Sequence, residues 1–194
     1  MRVLISTMEE YEPVMSEIKY LSPEKVILIR DAATSRKLDE VEKRLMVSFP
    51  KVVEFEVKKT DISDIIAVAK HTVGVIEKEH KKNNEILVCI TESFQELEYG
   101  VLFGAYARSH MVSRVMYVMN EDLWVIDLPV LSFGLSETKK NILHKIDGGV
   151  KPPEIGKKLG ITRGMVYNHI RELKKAGYID DKMKVRDSGR LAMI

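Results

Sequence analysis

The chain has 194 residues, 45% of them hydrophobic, enough to bury roughly 70% of the unfolded surface and to exclude a disordered, collagen-like or mucin-like protein. Its 31 Lys and Arg against 29 Asp and Glu leave a net charge of only +2. A single cysteine, Cys89, excludes a disulfide-stapled secreted fold, and no stretch reaches the ~20 apolar residues that span a bilayer. The sequence therefore reads as a cytoplasmic protein of a reducing compartment, with no membrane partner.

Short apolar runs at residues 3–6, 25–29, 52–57, 85–90, 115–118 and 123–128 predict strands. Helical periodicity fills 10–21, 35–47, 63–82 and 94–109. In the third of these, Ile62, Ile65, Ile66, Ala69, Val73 and Ile76 recur at three and four, marking one apolar face. Strand and helix in alternation predict a Rossmann-like parallel sheet with helices on both faces. The last two strands, separated by Met119-Asn120-Glu121-Asp122, predict a hairpin that closes one sheet edge.

From Leu131 to Leu135 the pattern changes to short helices punctuated by Gly and Pro, which places a domain boundary between 1–132 and 133–194. Charge divides at the same point. Residues 1–132 carry 17 basic and 22 acidic side chains, net −5, whereas 133–194 carry 14 and 7, net +7. A short module with that excess is the electrostatic footprint of a polyanion binder.

Ser136 is placed to cap a helix ending at about Ile146, with Ile142, Leu143 and Ile146 buried, and Asp147-Gly148-Gly149 ends it. Pro152-Pro153 opens a short second helix, Gly160 supplies a turn, and Thr162 caps a third helix that runs to about Ala176. Sorting the third helix by its period puts Val166, Ile170 and Leu173 inside and Arg163, Gly164, Tyr167, Asn168, Arg171 and Lys174 outside. That outer face suits the major groove of double-stranded DNA, where Arg reads guanine, Asn reads adenine and Lys meets phosphate. Two wing strands around a basic turn, with Lys182, Lys184 and Arg186, and then a final helix complete an α+β module.

The run from Pro153 to Thr162 followed by Val166-Tyr167-Asn168-His169-Ile170-Arg171-Glu172-Leu173 resembles the winged helix-turn-helix of archaeal and bacterial transcription regulators. The order of elements over the whole chain is similar to regulators with a CRISPR-associated Rossmann fold (CARF). That resemblance implies a homodimer controlling CRISPR-associated or related defence genes. It also implies a pocket across the two-fold axis, lined by the turns after the first and fourth strands, where some relatives bind cyclic oligoadenylate. By position, Thr7, Met8, Thr91 and Ser93 match those turns, and Thr34 lies in the turn after the second strand.

Where such relatives carry glycines and a basic residue, this chain has Glu92-Ser93-Phe94-Gln95-Glu96, and the first turn adds Glu9 and Glu10. Ser93 and Glu96 have capping-box spacing, so the helix N-terminus that would attract phosphate is expected to be self-satisfied. The cyclic-oligonucleotide effector is therefore expected to be weakened, altered or lost. Leu97, Val101, Gly104 and Ala105 share one helix face and are candidates for a subunit contact or for packing on the sheet.

No His-x-x-x-His, Cys-x-x-Cys, P-loop or Gly-x-Gly-x-x-Gly pattern occurs, so neither a metal nor a resident cofactor is expected. The first expectation is a transcriptional regulator without enzymatic activity. Two alternatives remain: a CARF-type ring nuclease using Thr7, Ser93 and Gln95, or a winged-helix scaffold that binds an acidic protein.

Overall fold

A computed structural model describes residues 1–33, 35–49, 53–119 and 124–194, with the backbone alone of Trp124. Thr34, the start of the expected third strand and the turn after Met119 lie outside the described residues. The chain divides into two compact units, Met1–Ser132 and Phe133–Ile194.

In the first unit, six strands form one sheet: β1 (Arg2–Thr7), β2 (Lys25–Asp31), β3 (Glu54–Thr60), β4 (Glu85–Thr91), β5 (Arg114–Met119) and β6 (Trp124–Leu128). Their order is β3-β2-β1-β4-β5-β6, parallel except for the antiparallel β5–β6 pair. The central strands read as near-continuous apolar runs because helices cover both of their faces. Val3, Leu4, Ile5, Ile86 and Val88 all have zero exposure.

The right-handed crossovers fix which helix covers which face. Helices α1 (Tyr11–Leu21) and α2 (Arg36–Ser48) follow β1 and β2 on one side. Their core contains Leu4, Val14, Ile18, Leu28, Leu45 and Met116. Helices α3 (Ile65–His80) and α4 (Gln95–Ala107) cover the other side, with Ile5, Val68, Ile76, Leu97 and Val101 in the core. The chain leaves β1 in one direction and starts β4 on its other flank, so the order reverses between β1 and β4. The crevice where ligands collect in open α/β sheets lies at the carboxyl ends of that pair.

In the second unit, α5 (Glu137–Asp147), α6 (Pro152–Leu159), α7 (Arg163–Lys175) and α8 (Asp187–Ala192) enclose a separate core built on Ile142, Leu143, Ile155, Val166, Ile170 and Leu173. Ser136 caps α5 through Lys139 N–H, and Thr162 caps α7 through Met165 N–H. Gly160 takes φ +67°, the left-handed conformation that turns α6 tightly into α7. Among the described residues no helix is long and apolar enough to cross a membrane.

The α4 face, open in the sequence either to a subunit contact or to packing on the sheet, is used within the chain. Leu97, Val101 and Ala105 have zero exposure, and Gly104 meets α3. A Cβ on Gly104 would lie 2.6 Å from Thr72 Cβ, and one on Gly100 would overlap Val68. These glycines let α3 and α4 approach each other closely, so the small-residue face serves intrachain packing.

Candidate functional site

At the carboxyl ends of β1 and β4, Thr7 and Thr91 turn towards each other. The Thr7 hydroxyl accepts the Thr91 backbone N–H at 2.8 Å, and the two hydroxyls are 3.0 Å apart. The Thr91 hydroxyl donates to the Thr7 carbonyl at 3.2 Å. Both residues are buried, as is Met8, which packs into the α1–α2 core. These three residues were expected to line the ligand pocket, but the structure seals them beneath it as a clamp between adjacent strand ends.

The surface above the clamp is a cleft of about 250 Å³ lined by Glu9, Glu10, Glu92 and Ser93. Lys37 from α2 pairs with Glu10 at 3.1 Å and Glu9 at 3.5 Å. Glu98 sits close by; burial raises its pKa, and the charges of Glu92 and Glu9 push in the same direction. The expected Ser93–Glu96 capping box does not form. Phe94, in extended conformation, is the N-cap, so Glu96 falls too early in the helix and Glu98 reaches back to accept the Ser93 N–H at 2.6 Å. The Ser93 hydroxyl oxygen is buried with no hydrogen-bond partner among the described residues. A site of this composition repels phosphate. Gln95, the third residue of the nuclease alternative, is exposed on the first turn of α4.

The second unit offers a face of opposite character. On α7, Val166, Ile170 and Leu173 point into the core, while Arg163, Gly164, Tyr167, Asn168 and Arg171 are exposed. The Arg163 guanidinium lies 5.7 Å from the Tyr167 ring centroid, within cation–π range. Arg171 donates to the Asn168 side-chain oxygen at 3.1 Å, which pre-aligns both polar heads along one ridge. Lys139 of α5 holds Glu172 at 3.0 Å and thereby braces the helix from behind. An open groove of about 650 Å³ runs along the α6–α7 turn, lined in part by Lys157, Thr162 and Arg163.

Residues 136–180 match the winged helix-turn-helix DNA-binding family model. This segment is a winged helix-turn-helix DNA-binding domain. Its wing is shorter than the sequence implies: in place of two strands there is a single antiparallel bridge, Ile179 to Val185. Asp180 closes the turn by accepting the Lys184 N–H on its carboxylate at 2.7 Å, and α8 begins only two residues after Val185. The tight turn still presents Lys182, Lys184 and Arg186 to solvent. Lys174, expected on the groove-facing side, is half-buried and donates to the Asp181 carbonyl at 3.3 Å, tying α7 to the wing.

Among solved structures, the chain is similar to Can2 from Sulfobacillus thermosulfidooxidans in complex with cyclic tetra-adenylate. The identity is 11% and the TM-score 0.48, over 98% of this chain and 62% of that one, so the chain spans less than two thirds of that neighbour's length. No curated protein matches the sequence.

Proposed function

We propose that this chain is a DNA-binding transcriptional regulator that acts as a homodimer, with 1–132 as a ligand-sensing domain and 133–194 as the reading domain. The observation that carries the reading is α7, whose apolar stripe is fully engaged while Arg163, Tyr167, Asn168 and Arg171 face solvent, within a segment of net charge +7. In the major groove, Arg163 and Arg171 reach guanine O6 and N7, Asn168 reaches adenine, and Tyr167 supplies apolar contact. The Thr162 hydroxyl meets the adjoining backbone, and Lys182, Lys184 and Arg186 contact flanking phosphates. Gly164 supports the same placement: a Cβ there would meet nothing nearer than the Thr162 hydroxyl at 4.0 Å, so the fold itself does not demand glycine. Close approach of a nucleic-acid backbone does.

A single module of this size buries little DNA surface, and two copies reading half-sites one helical turn apart supply the missing affinity. A ligand that prefers one dimer geometry would shift operator affinity by its differential binding to the two states. The carboxylate-lined cleft at the β1–β4 ends is the proposed effector site, with cyclic-oligoadenylate sensing weakened or lost there. By the CARF resemblance, the regulated genes are CRISPR-associated or related defence genes, in the cytoplasm, and the chain has no catalytic role.

A salt titration of gel shifts on the gene's own upstream DNA tests this reading. Affinity should fall steeply with salt, and Lys182→Ala with Lys184→Ala should reduce the log–log slope by about 2 per subunit bound. Binding that is insensitive to salt, or absent at low salt, contradicts it.

A further inference from the structure

Folding hides the large apolar side chains of the second unit with two exceptions. Among its described residues only Met165, 46% exposed, and Tyr167, 45%, stay in solvent, and both belong to the first two turns of α7. By the helical period they stand on opposite flanks of the line through Gly164 and Asn168, which points away from the buried Val166, Ile170 and Leu173. The Arg163 guanidinium lies over the Tyr167 ring. Met165 is held differently: the Thr162 hydroxyl accepts its backbone N–H at 3.2 Å, which pins it in the first turn, where the side chains of a reading helix meet base edges. Seven residues on, the same flank carries the exposed Glu172 carboxylate, which phosphates repel, so the helix enters a groove by its N-terminal turns.

An apolar side chain fixed on a face that meets a polyanion needs an apolar counterpart there. The major groove offers one, the C5-methyl of thymine. Resting on the DNA-reading assignment of α7 above, we infer that Met165 is a specificity-determining residue: it packs on a thymine methyl, so each half-site carries a thymine beside the bases that Asn168 and Arg171 read. The thioether is long and unbranched, which lets it follow the methyl across small changes in helix tilt. Gly164, the preceding residue, removes the side chain that would hold the helix off the groove floor, and its place for a Cβ is open within the fold. Burying one methyl favours thymine over the same base without it by about 4-fold per contact.

Upstream DNA of the chain's own gene, amplified once with dTTP and once with dUTP, tests the assignment on the full chain. The two duplexes share every hydrogen-bonding group and every charge and differ in the thymine methyls alone. In fluorescence anisotropy titrations the wild type should bind the thymine duplex at least ~4-fold more tightly than the uracil duplex. Met165→Ala should bring that ratio below ~2 by losing affinity for the thymine duplex, and Met165→Leu, which keeps an apolar side chain, should preserve it. Lys184→Ala should weaken both duplexes equally and leave the ratio unchanged. Should Met165→Ala fail to fold by circular dichroism, Met165→Gln carries the test with the same expected loss of ratio. Equal wild-type affinity for the two duplexes overturns the inference and leaves DNA reading intact, as does a ratio that persists undiminished in Met165→Ala. Binding to neither duplex at low salt sinks the reading of α7 itself and this inference with it.

Discussion

Replacing Glu17 with Gln should make the first unit more stable, by an amount set by pH. Glu17 lies on α1 with zero exposure, and no donor among the described residues meets hydrogen-bond geometry with either carboxyl oxygen. Burial pushes its pKa up to about 8 from an ordinary 4.5, with the nearby Ser6 hydroxyl and Cys89 thiol softening the rise. Below pH 4.5 the group is protonated in folded and unfolded chains alike and costs nothing by ionisation. Between pH 4.5 and 8 only the unfolded chain ionises, so stability is lost at about 1.4 kcal/mol per pH unit. The accumulated loss is on the order of 3 kcal/mol at pH 7 and 5 kcal/mol once pH exceeds 8. Urea denaturation of wild type and Glu17→Gln at pH 5, 7 and 9, followed by far-ultraviolet circular dichroism, reads the difference directly. The advantage of the variant should be small at pH 5 and grow to a plateau by pH 9. A difference that stays flat across this range refutes the reasoning.

Gly164→Ala should raise thermal stability slightly, since alanine is favoured over glycine in a helix by about 1 kcal/mol and the added Cβ finds open space, yet weaken DNA affinity in a filter-binding assay. Gly104→Ala should act oppositely: its Cβ would crowd Thr72 and the Ala69 carbonyl at 2.9 Å, costing about 1–3 kcal/mol in chemical denaturation. Calorimetry with cyclic tetra-adenylate should give no binding tighter than micromolar, because the cleft presents Glu9, Glu10 and Glu92. Sub-micromolar binding would contradict the charge argument.

Much of the fold is legible in the sequence because local signals agree with the tertiary outcome. Ser136 and Thr162 cap the helices they were expected to cap, and the strand runs of the first unit reappear in a Rossmann-like sheet. Legibility fails where a charged residue goes inside. Lys25 is buried among Glu54, Glu56 and Glu79, and Arg30 is held by Asp39 and Glu42, pairings set by how other elements pack against β2. Glu17 did leave a trace: it falls between Val14, Ile18 and Leu21 on the apolar stripe of α1, a spacing that marks an inward position whatever the residue. For the candidate sites, the outer face of α7 follows from periodicity alone. The Thr7–Thr91 clamp does not, because the sequence cannot say whether two hydroxyls at neighbouring strand ends face a ligand or each other. The same ambiguity attends Gly100 and Gly104, where close packing was legible and its partner was not.

The regulator reading stands or falls on whether the exposed face of α7 reads duplex DNA. Genome-wide footprinting of wild type against the Arg163→Ala, Arg171→Ala double variant tests it most directly. Discrete protected sites in the wild type that vanish in a folded double variant are the predicted result. A wild type that protects no discrete sites, or a double variant with the same footprints, would contradict it.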